Sequence, residues 1–262
     1  MSEANIEAVA QGRHRDPFSF LGPHDKLIRA WLPQAREAFV VIDERLLRME
    51  PDATGFFIAE LDQPTRDYRI RITLYSGQSQ DLDDPYRFPP LLTPFELHLH
   101  GEGTNYESYR TLGAHEVECE GVNGTRFAVW APNAEVVSIT GDFNQWDRTR
   151  HPMRLREGGI WEIFLPGVGA GAAYKYSILS AGGHEQDKCD PYGFYAEVPP
   201  KTASIVWALN NYSWGDSDWM NAREHRNFLH EPVSMYEVHL ESWLRGPFNK
   251  LLSYRELADK LV

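Results

Sequence analysis

Residues 126–207 read RFAVWAPNAEVVSITGDFNQWDRTRHPMRLREGGIWEIFLPGVGAGAAYKYSILSAGGHEQDKCDPYGFYAEVPPKTASIVW, and the rest of the chain can be placed relative to them. Arg126–Ala131 alternates, with Phe127, Val129 and Ala131 on one face and Ala128 and Trp130 on the other, the two-residue period of a strand. Pro132 and Asn133 stop it, because proline cannot donate to a ladder and asparagine favours turns. Val136–Gly141 is apolar and β-branched, a second strand. The breaker cluster Gly141–Asn144 predicts a loop. Ile160–Leu165 and Ala173–Leu179 are a third and fourth strand, the last with Tyr174, Tyr176 and Ile178 on one face, and Ala181-Gly182-Gly183 is a turn. Short strands at this spacing, separated by turn signals, predict an all-β sandwich or barrel, and this stretch reads as one small sandwich.

The same pattern occurs earlier in the chain. Ile28–Pro33 (IRAWLP) matches Phe127–Pro132 (FAVWAP), and Phe56–Leu61 matches Ile160–Leu165. Tyr68–Ile72 matches Tyr174–Ile178, and Asp84-Pro85-Tyr86 matches Asp190-Pro191-Tyr192. The offset drifts from 99 to 104 to 106, so loop insertions alone separate the copies. The first hundred or so residues are therefore expected to be a second sandwich of the same kind. Its loop lacks a counterpart of GDFNQW, because Val41-Ile42-Asp43 runs straight into Glu44-Arg45. If function resides in that loop, the first copy is structural.

Length, at 262 residues, allows roughly two domains. The formal net charge of −12 argues against nucleic-acid and anionic-membrane partners, whose phosphates attract Lys and Arg. A neutral polymer is compatible with it. Aromatic content of 13%, with eight Trp, suits sugar stacking, although sandwich cores account for most such residues. The two cysteines, Cys119 and Cys189, form no disulfide framework and lack metal-ligand spacing, so both are read as reduced and the protein as cytoplasmic. The N-terminus has no apolar stretch typical of a secretory signal, and no run of about 18 apolar residues exists to span a membrane.

Ser2–Gln11 predicts a short helix capped by Ser2 and ended by Gly12, with Ile6, Val9 and Ala10 on its apolar side. Pro89–Gly103 reads as a linker. Within it Phe95–His100 alternates, placing His98 and His100 on one face if it is a strand. With no third ligand nearby, they read as surface histidines rather than a metal pair. After Trp207 strand character fades: Asn210–Asn221 reads as a loop and Met220–Phe228 as helical. Val233–Leu240 (VSMYEVHL) predicts a buried strand. Ser253–Val262 predicts a helix with Ser253 and Glu256 as a capping box and Leu257, Leu261 and Val262 as its apolar stripe.

These residues also carry a resemblance. FAVWAPNAEVVSITGDFNQW, IWEIFLPG, YKYSI and DPYGF together resemble the family-48 carbohydrate-binding module, an immunoglobulin-like sandwich found beside the catalytic barrel of branching and debranching enzymes. Asp16–His24 (DPFSFLGPH) resembles the opening of the extra N-terminal domain of long-form bacterial glycogen branching enzymes. Thr104–His115, with its Leu-Gly-Ala-His stretch, resembles their inter-domain joint. YEVHLESW followed by SYRELADKLV looks like the first strand and helix of their α-amylase-type (β/α)8 barrel. The resemblance covers essentially the whole chain. It implies a mainly β protein: two tandem immunoglobulin-like β-sandwiches followed by the first strand and helix of a truncated barrel. The expected domains are 1–110, 111–225 and 226–262. A complete barrel needs about 250 residues, so the chain is expected to be a piece of a longer enzyme.

That family transfers α-1,4-glucan segments to 6-hydroxyls and uses no cofactor. Its retaining chemistry needs two carboxylates about 5–5.5 Å apart, and the resemblance places both beyond Val262. Glu237 and Glu241 would lie about 13 Å apart along an extended strand, too far for that pair. Asp142, Asp187 and Asp190 fall in sandwich loops with no partner constellation. Gly167–Gly171 (GVGAG) resembles a phosphate loop, but a strand follows where a helix is required, so it reads as a hairpin turn. No catalytic residue and no metal ligand is assigned.

Binding is the better-supported reading. Pyranose faces stack on exposed aromatics, while Asn, Lys and Asp bond the hydroxyls. Trp146, with Asn144 and Asp147 beside it, either stacks on sugar or packs against a neighbouring barrel. The resemblance implicates Trp146 and Lys175, since glycogen-binding members use a Trp and a Lys at these positions. The family's second Trp is His184 here. Lys175 has Arg69 as its counterpart, which leaves a solvated cation open. Trp130 and Trp161 have counterparts in Trp31 and Phe57, and the repetition predicts core. The expected partners are α-glucan and the rest of the chain's own barrel. A stand-alone α-glucan-binding module and a piece of a debranching or trehalose-forming relative are the alternatives.

Overall fold

The computed structural model describes residues 3–52, 54–209, 212–227 and 229–261. It separates into two units, Met1–Asn211 and Tyr212–Val262. The first is mainly β, with antiparallel sheets and few helices. Helix α1 (Glu3–Ala10) leads; its expected cap, Ser2, lies outside the described residues. Then come β1 (Gly22–His24), β2 (Leu27–Trp31), β3 (Ala35–Ile42), β4 (Arg45–Arg48), β5 (Glu50–Pro51), β6 (Phe56–Glu60), β7 (Arg69–Leu74) and β8 (Ser79–Leu82). Helices α2 (Pro94–Glu102) and α3 (Ser108–Thr111) follow. The remaining strands are β9 (Gly113–Cys119), β10 (Val122–Trp130), β11 (Ala134–Gly141), β12 (Arg154–Leu155), β13 (Ile160–Pro166), β14 (Ala173–Ser180), β15 (Glu185–Lys188), β16 (Tyr195–Ala196) and β17 (Ser204–Ile205).

The repeat is present in three dimensions. Sheet β1-β2-β6-β5 has the strand order of sheet β9-β10-β13-β12, and β3-β7-β8 that of β11-β14-β15. Register is kept as well as order. Trp31 pairs with Phe56 as Trp130 pairs with Ile160. The bulge between Ala35 and Glu37, opposite Leu74 and Thr73, recurs between Ala134 and Val136, opposite Ser180 and Leu179. Each pair of sheets closes over its own core, because alternate residues of each strand are apolar. Ile28, Ala30, Phe57 and Ala59 meet Ala38, Val40, Ile70 and Ile72 in the first sandwich. Phe127, Val129, Trp161 and Ile163 meet Val137, Ile139, Tyr174 and Tyr176 in the second.

The repeated Asp-Pro-Tyr is a latch. The Tyr68 hydroxyl donates to Asp84 Oδ2 at 2.6 Å, and the Tyr174 hydroxyl to Asp190 Oδ2 at 2.6 Å. The other oxygen of each carboxylate accepts the N–H of Tyr86 or Tyr192, at 2.9 and 2.8 Å. Asp190 also accepts from the Tyr176 hydroxyl at 3.3 Å. Each carboxylate is buried where an unbonded charge would be costly.

Three expectations fail here for physical reasons. Residues 95–100 are helical: the Thr93 hydroxyl accepts the Glu96 N–H at 3.2 Å while Glu96 Oε2 accepts the Thr93 N–H at 2.7 Å. This capping box starts α2, and Gly103, at φ 73°, ends it. Helix residues two apart face different ways, so His98 pairs with Glu102 and His100 abuts Trp130, ring centroids 5.8 Å apart. Gly167–Gly171 is not a hairpin, because β13 and β14 belong to opposite sheets and the segment crosses between them. Trp130 is not core. Trp161 is 1% exposed but Trp130 is 55% exposed, on the outer face of its sheet with its indole N–H held by the Gly158 carbonyl at 2.9 Å.

The second unit contains α4 (Ser217–Arg223), α5 (Leu240–Trp243) and α6 (Tyr254–Leu261). Asn210, Asn211, Phe228 and Val262 lie outside the described residues. The strand expected over 233–240 is not formed: residues 232–239 make no ladder and Leu240 opens α5. A strand needs a neighbour for its N–H and C=O groups, and its apolar residues alone do not supply one. The capping box that starts α6 is present, with Glu256 Oε2 accepting the Ser253 N–H at 2.8 Å and the Glu256 N–H reaching Ser253 Oγ at 3.3 Å. Leu257 is buried while Leu261 is 49% exposed.

Candidate functional site

The loop after β11 is held from below. Asn144 is fully buried; its Oδ1 accepts the Gly141 N–H and its Nδ2 donates to the Ile139 carbonyl and to His151 Nδ1, all at 2.9 Å. This corrects the expectation that Asn144 contacts sugar: its amide is committed to the loop and none of its surface is free. Burial drives the His151 pKa down to about 3, with the neighbouring Arg150 charge adding to the effect. The ring is therefore neutral, consistent with Nδ1 accepting from Asn144. Asp147 closes the next turn, taking the N–H and hydroxyl of Thr149 at 2.9 and 2.8 Å.

That scaffold forces an unusual backbone. Gln145 and Trp146 both sit in the left-handed region, at φ 60° and 62°. A bulky residue there is strained by roughly 1–2 kcal/mol, and such strain persists where surrounding bonds over-determine it. The result is presentation: Trp146 is 40% exposed, and its indole N–H donates to Asp142 Oδ1 at 3.1 Å, which restrains the ring.

Lys175 lies next along the sheet. Its register partner is Thr140, and its neighbour Tyr174 pairs with Gly141, where the Trp146 loop begins. Its Nζ donates to the Thr202 hydroxyl at 2.8 Å. Trp146 and Lys175 are thus carried at one end of the β11–β14 pair. His184 is exposed in the turn joining β14 to β15. The arrangement offers a restrained aromatic face and an ammonium with hydrogen-bond capacity to spare, suited to a flat, hydroxylated ligand.

Sequence reasoning missed Asp142 as the clamp on Trp146, although only four residues separate them, because the contact depends on the left-handed backbone of the loop. It missed Thr202 as the partner of Lys175 because no local pattern joins residues 27 apart. It also missed the half-exposed pair Tyr195 and Trp207, ring centroids 4.8 Å apart, on the edge strand β16 and just after its neighbour β17. Glu237 and Glu241 are exposed. Among the described residues there is no group of three or more His, Cys, Asp or Glu able to hold a metal ion. Both cysteines are unpaired, Cys119 buried and Cys189 exposed.

Two family profiles match the chain. Residues 2–86 match the alpha-1,4-glucan branching enzyme GlgB N-terminal domain, and residues 111–193 match carbohydrate-binding module 48, the isoamylase N-terminal domain. Among curated proteins, the 1,4-alpha-glucan branching enzyme GlgB of Rubrobacter xylanophilus is 52% identical over 270 residues, covering 99% of this chain and 37% of that protein. The enzyme of the same name from Paramagnetospirillum magneticum is 50% identical over 269 residues, covering 98% and 36%. That from Synechococcus elongatus is 42% identical over 298 residues, covering 100% and 38%. The chain spans little more than a third of the length of these relatives. With the two models matched in tandem and these relatives aligned over 98–100% of the chain, the chain is similar throughout to the N-terminal region of 1,4-alpha-glucan branching enzymes.

Proposed function

We propose that this chain is the glucan-holding N-terminal portion of a cytoplasmic 1,4-α-glucan branching enzyme, working beside a barrel that cuts α-1,4 chains and transfers the pieces to 6-hydroxyls. Residues 1–110 and 111–225 are its two sandwich domains, and 226–262 is the start of the (β/α)8 barrel, whose first strand pairs once its neighbours are present. The second sandwich binds α-glucan through Trp146 and Lys175, and the first positions it. The chain alone binds but does not branch. The observation that carries the reading is Trp146, half exposed on a strained backbone that the buried Asn144 network maintains.

Native affinity electrophoresis on soluble glycogen tests it. Glycogen is expected to retard the chain, and Trp146→Ala to remove the retardation. Equal mobility of both proteins with and without glycogen would end the binding claim. New α-1,6 linkages made by this polypeptide alone would end the division of labour. The compactness of residues 1–211 as a unit favours one second reading, a free-standing binding module. That reading predicts undiminished glycogen retardation after removal of residues 212–262.

A further inference from the structure

A cleft of about 390 Å³ lies between the two sandwiches, and Trp146 is not among the residues that line it. Trp31, Arg69, Asp81 and Asp83 line it from the first copy, and Arg150 and His151 from the second. The walls are braced, because the Tyr86 hydroxyl donates to the carbonyls of Arg150 and Pro152 at 3.4 and 3.3 Å. Its size is at the small end of small-molecule sites, about 300–1,000 Å³.

Its donors are under-used. The Trp31 indole N–H is buried with no acceptor. Among the described residues the Arg150 guanidinium has no hydrogen-bond or ion-pair partner, and burial weakens its hold on its proton against the pull of Asp147 alone. His151 accepts at Nδ1, which leaves its Nε2–H as a donor. A buried donor without a partner, as at Trp31, is costly, and a ligand that satisfies it recovers that loss, while the open donors of Arg150 and His151 are free to bond the same ligand. The acceptors are paired but not saturated. Asp81 is bound by Arg71 at 2.6 and 2.8 Å, and Asp83 by Arg87 at 3.2 Å with Arg69 at 3.7 Å. A carboxylate has about four lone-pair sites, so each retains acceptor capacity. With arginines and aspartates both lining the cleft, the fit is to a neutral ligand whose groups donate and accept at once.

We propose that this inter-sandwich cleft is a second saccharide site, holding a short α-1,4-linked glucan segment through Trp31, Arg150 and His151 on one side and Asp81 and Asp83 on the other. It rests on the glucan-binding reading of the chain, but not on Trp146.

The test is to titrate maltotriose into the full 15N-labelled chain and follow the tryptophan indole N–H signals, assigned by Trp→Phe substitution. The Trp31 signal is expected to shift and saturate in wild type and equally in Trp146→Ala. Arg150→Gln should weaken that response at least tenfold, and His151→Gln, which keeps a donor and an acceptor, should weaken it less. Variants are compared only where their remaining indole signals keep wild-type dispersion; if Arg150→Gln fails this, Asp81→Asn takes its place. Movement of Trp146 alone would overturn the cleft and leave the proposed function standing. Movement of neither signal would overturn both. A Trp31 shift produced by inorganic phosphate but not by maltotriose would make the cleft an anion site and overturn the saccharide reading.

Discussion

The two sandwiches agree in register, bulge and latch, and diverge at both edges of one sheet: the second copy adds β17 and β16 beside β14, and the opposite edge differs as well. In the first, β3 ends at Ile42 and returns through Asp43 and Glu44, both at positive φ (47° and 66°), directly into the edge strand β4. That is a two-residue turn of the primed kind, whose twist matches the strands. In the second, β11 gives way to Asp142–His151, and only Pro152 bridges back, to Ser138. The second copy has thus exchanged an edge strand for a loop that holds Trp146 outward and places Arg150 and His151 in the cleft. A sheet edge can be remodelled without disturbing the buried faces, which is why function accumulates there while the core repeats.

The largest test of that equivalence is the core. Trp161→Ala and Phe57→Ala occupy matching positions and are 1% and 2% exposed, so each should lose about 3–5 kcal/mol in urea denaturation. A loss below about 1 kcal/mol in either would break the structural equivalence of the copies.

The latch comes next. Burial raises the Asp84 pKa from 3.8 to about 6, against the opposing pull of its hydrogen bonds. The folded state therefore holds this proton more tightly than the unfolded chain. The contribution is full below pH about 4 and is lost as pH rises through about 6, a span of roughly 3 kcal/mol. Asp84→Asn should flatten that slope between pH 4 and 7 in chemical denaturation. Burial raises the Asp190 pKa too, so Asp190→Asn should flatten in the same direction. Opposite slopes in the two variants would show that the latches are not equivalent.

Asn144 has no working counterpart in the first copy, and it sharpens the contrast. Asn144→Ala removes three buried hydrogen bonds and should cost about 2 kcal/mol. It should also weaken glycogen retardation although its side chain is fully buried. Unchanged retardation would mean that Trp146 does not depend on this scaffold. The smallest effect is expected at the simple hairpin. Glu44→Gly relieves a left-handed residue and should raise stability by about 1 kcal/mol, read as a higher melting temperature.

Much of this was legible in the chain because both kinds of signal are local. Strands alternate every second residue, so Phe127 and Val129 could be assigned to one face, and the 99-residue offset between Trp31 and Trp130 carried the fold to the first copy. The same logic misled where a local signal has two meanings. Phe95–His100 alternates like a strand, but Thr93 and Glu96 cap a helix there. Val233–Leu240 has the composition of a strand, but a ladder is a property of two segments.

Sequence by itself determined the tandem β-sandwich architecture and the loop that sets the second copy apart, because backbone preference and hydrophobic period are written residue by residue. Tertiary structure decided what each polar group does. It committed Asn144 to the interior, exposed Trp130 while burying its counterpart's indole N–H, turned Asp84 and Asp190 into latches, and brought Trp31 of one copy to the same cleft as Arg150 of the other. Burial and hydrogen-bond partnership depend on residues distant in the chain, and no local pattern records them.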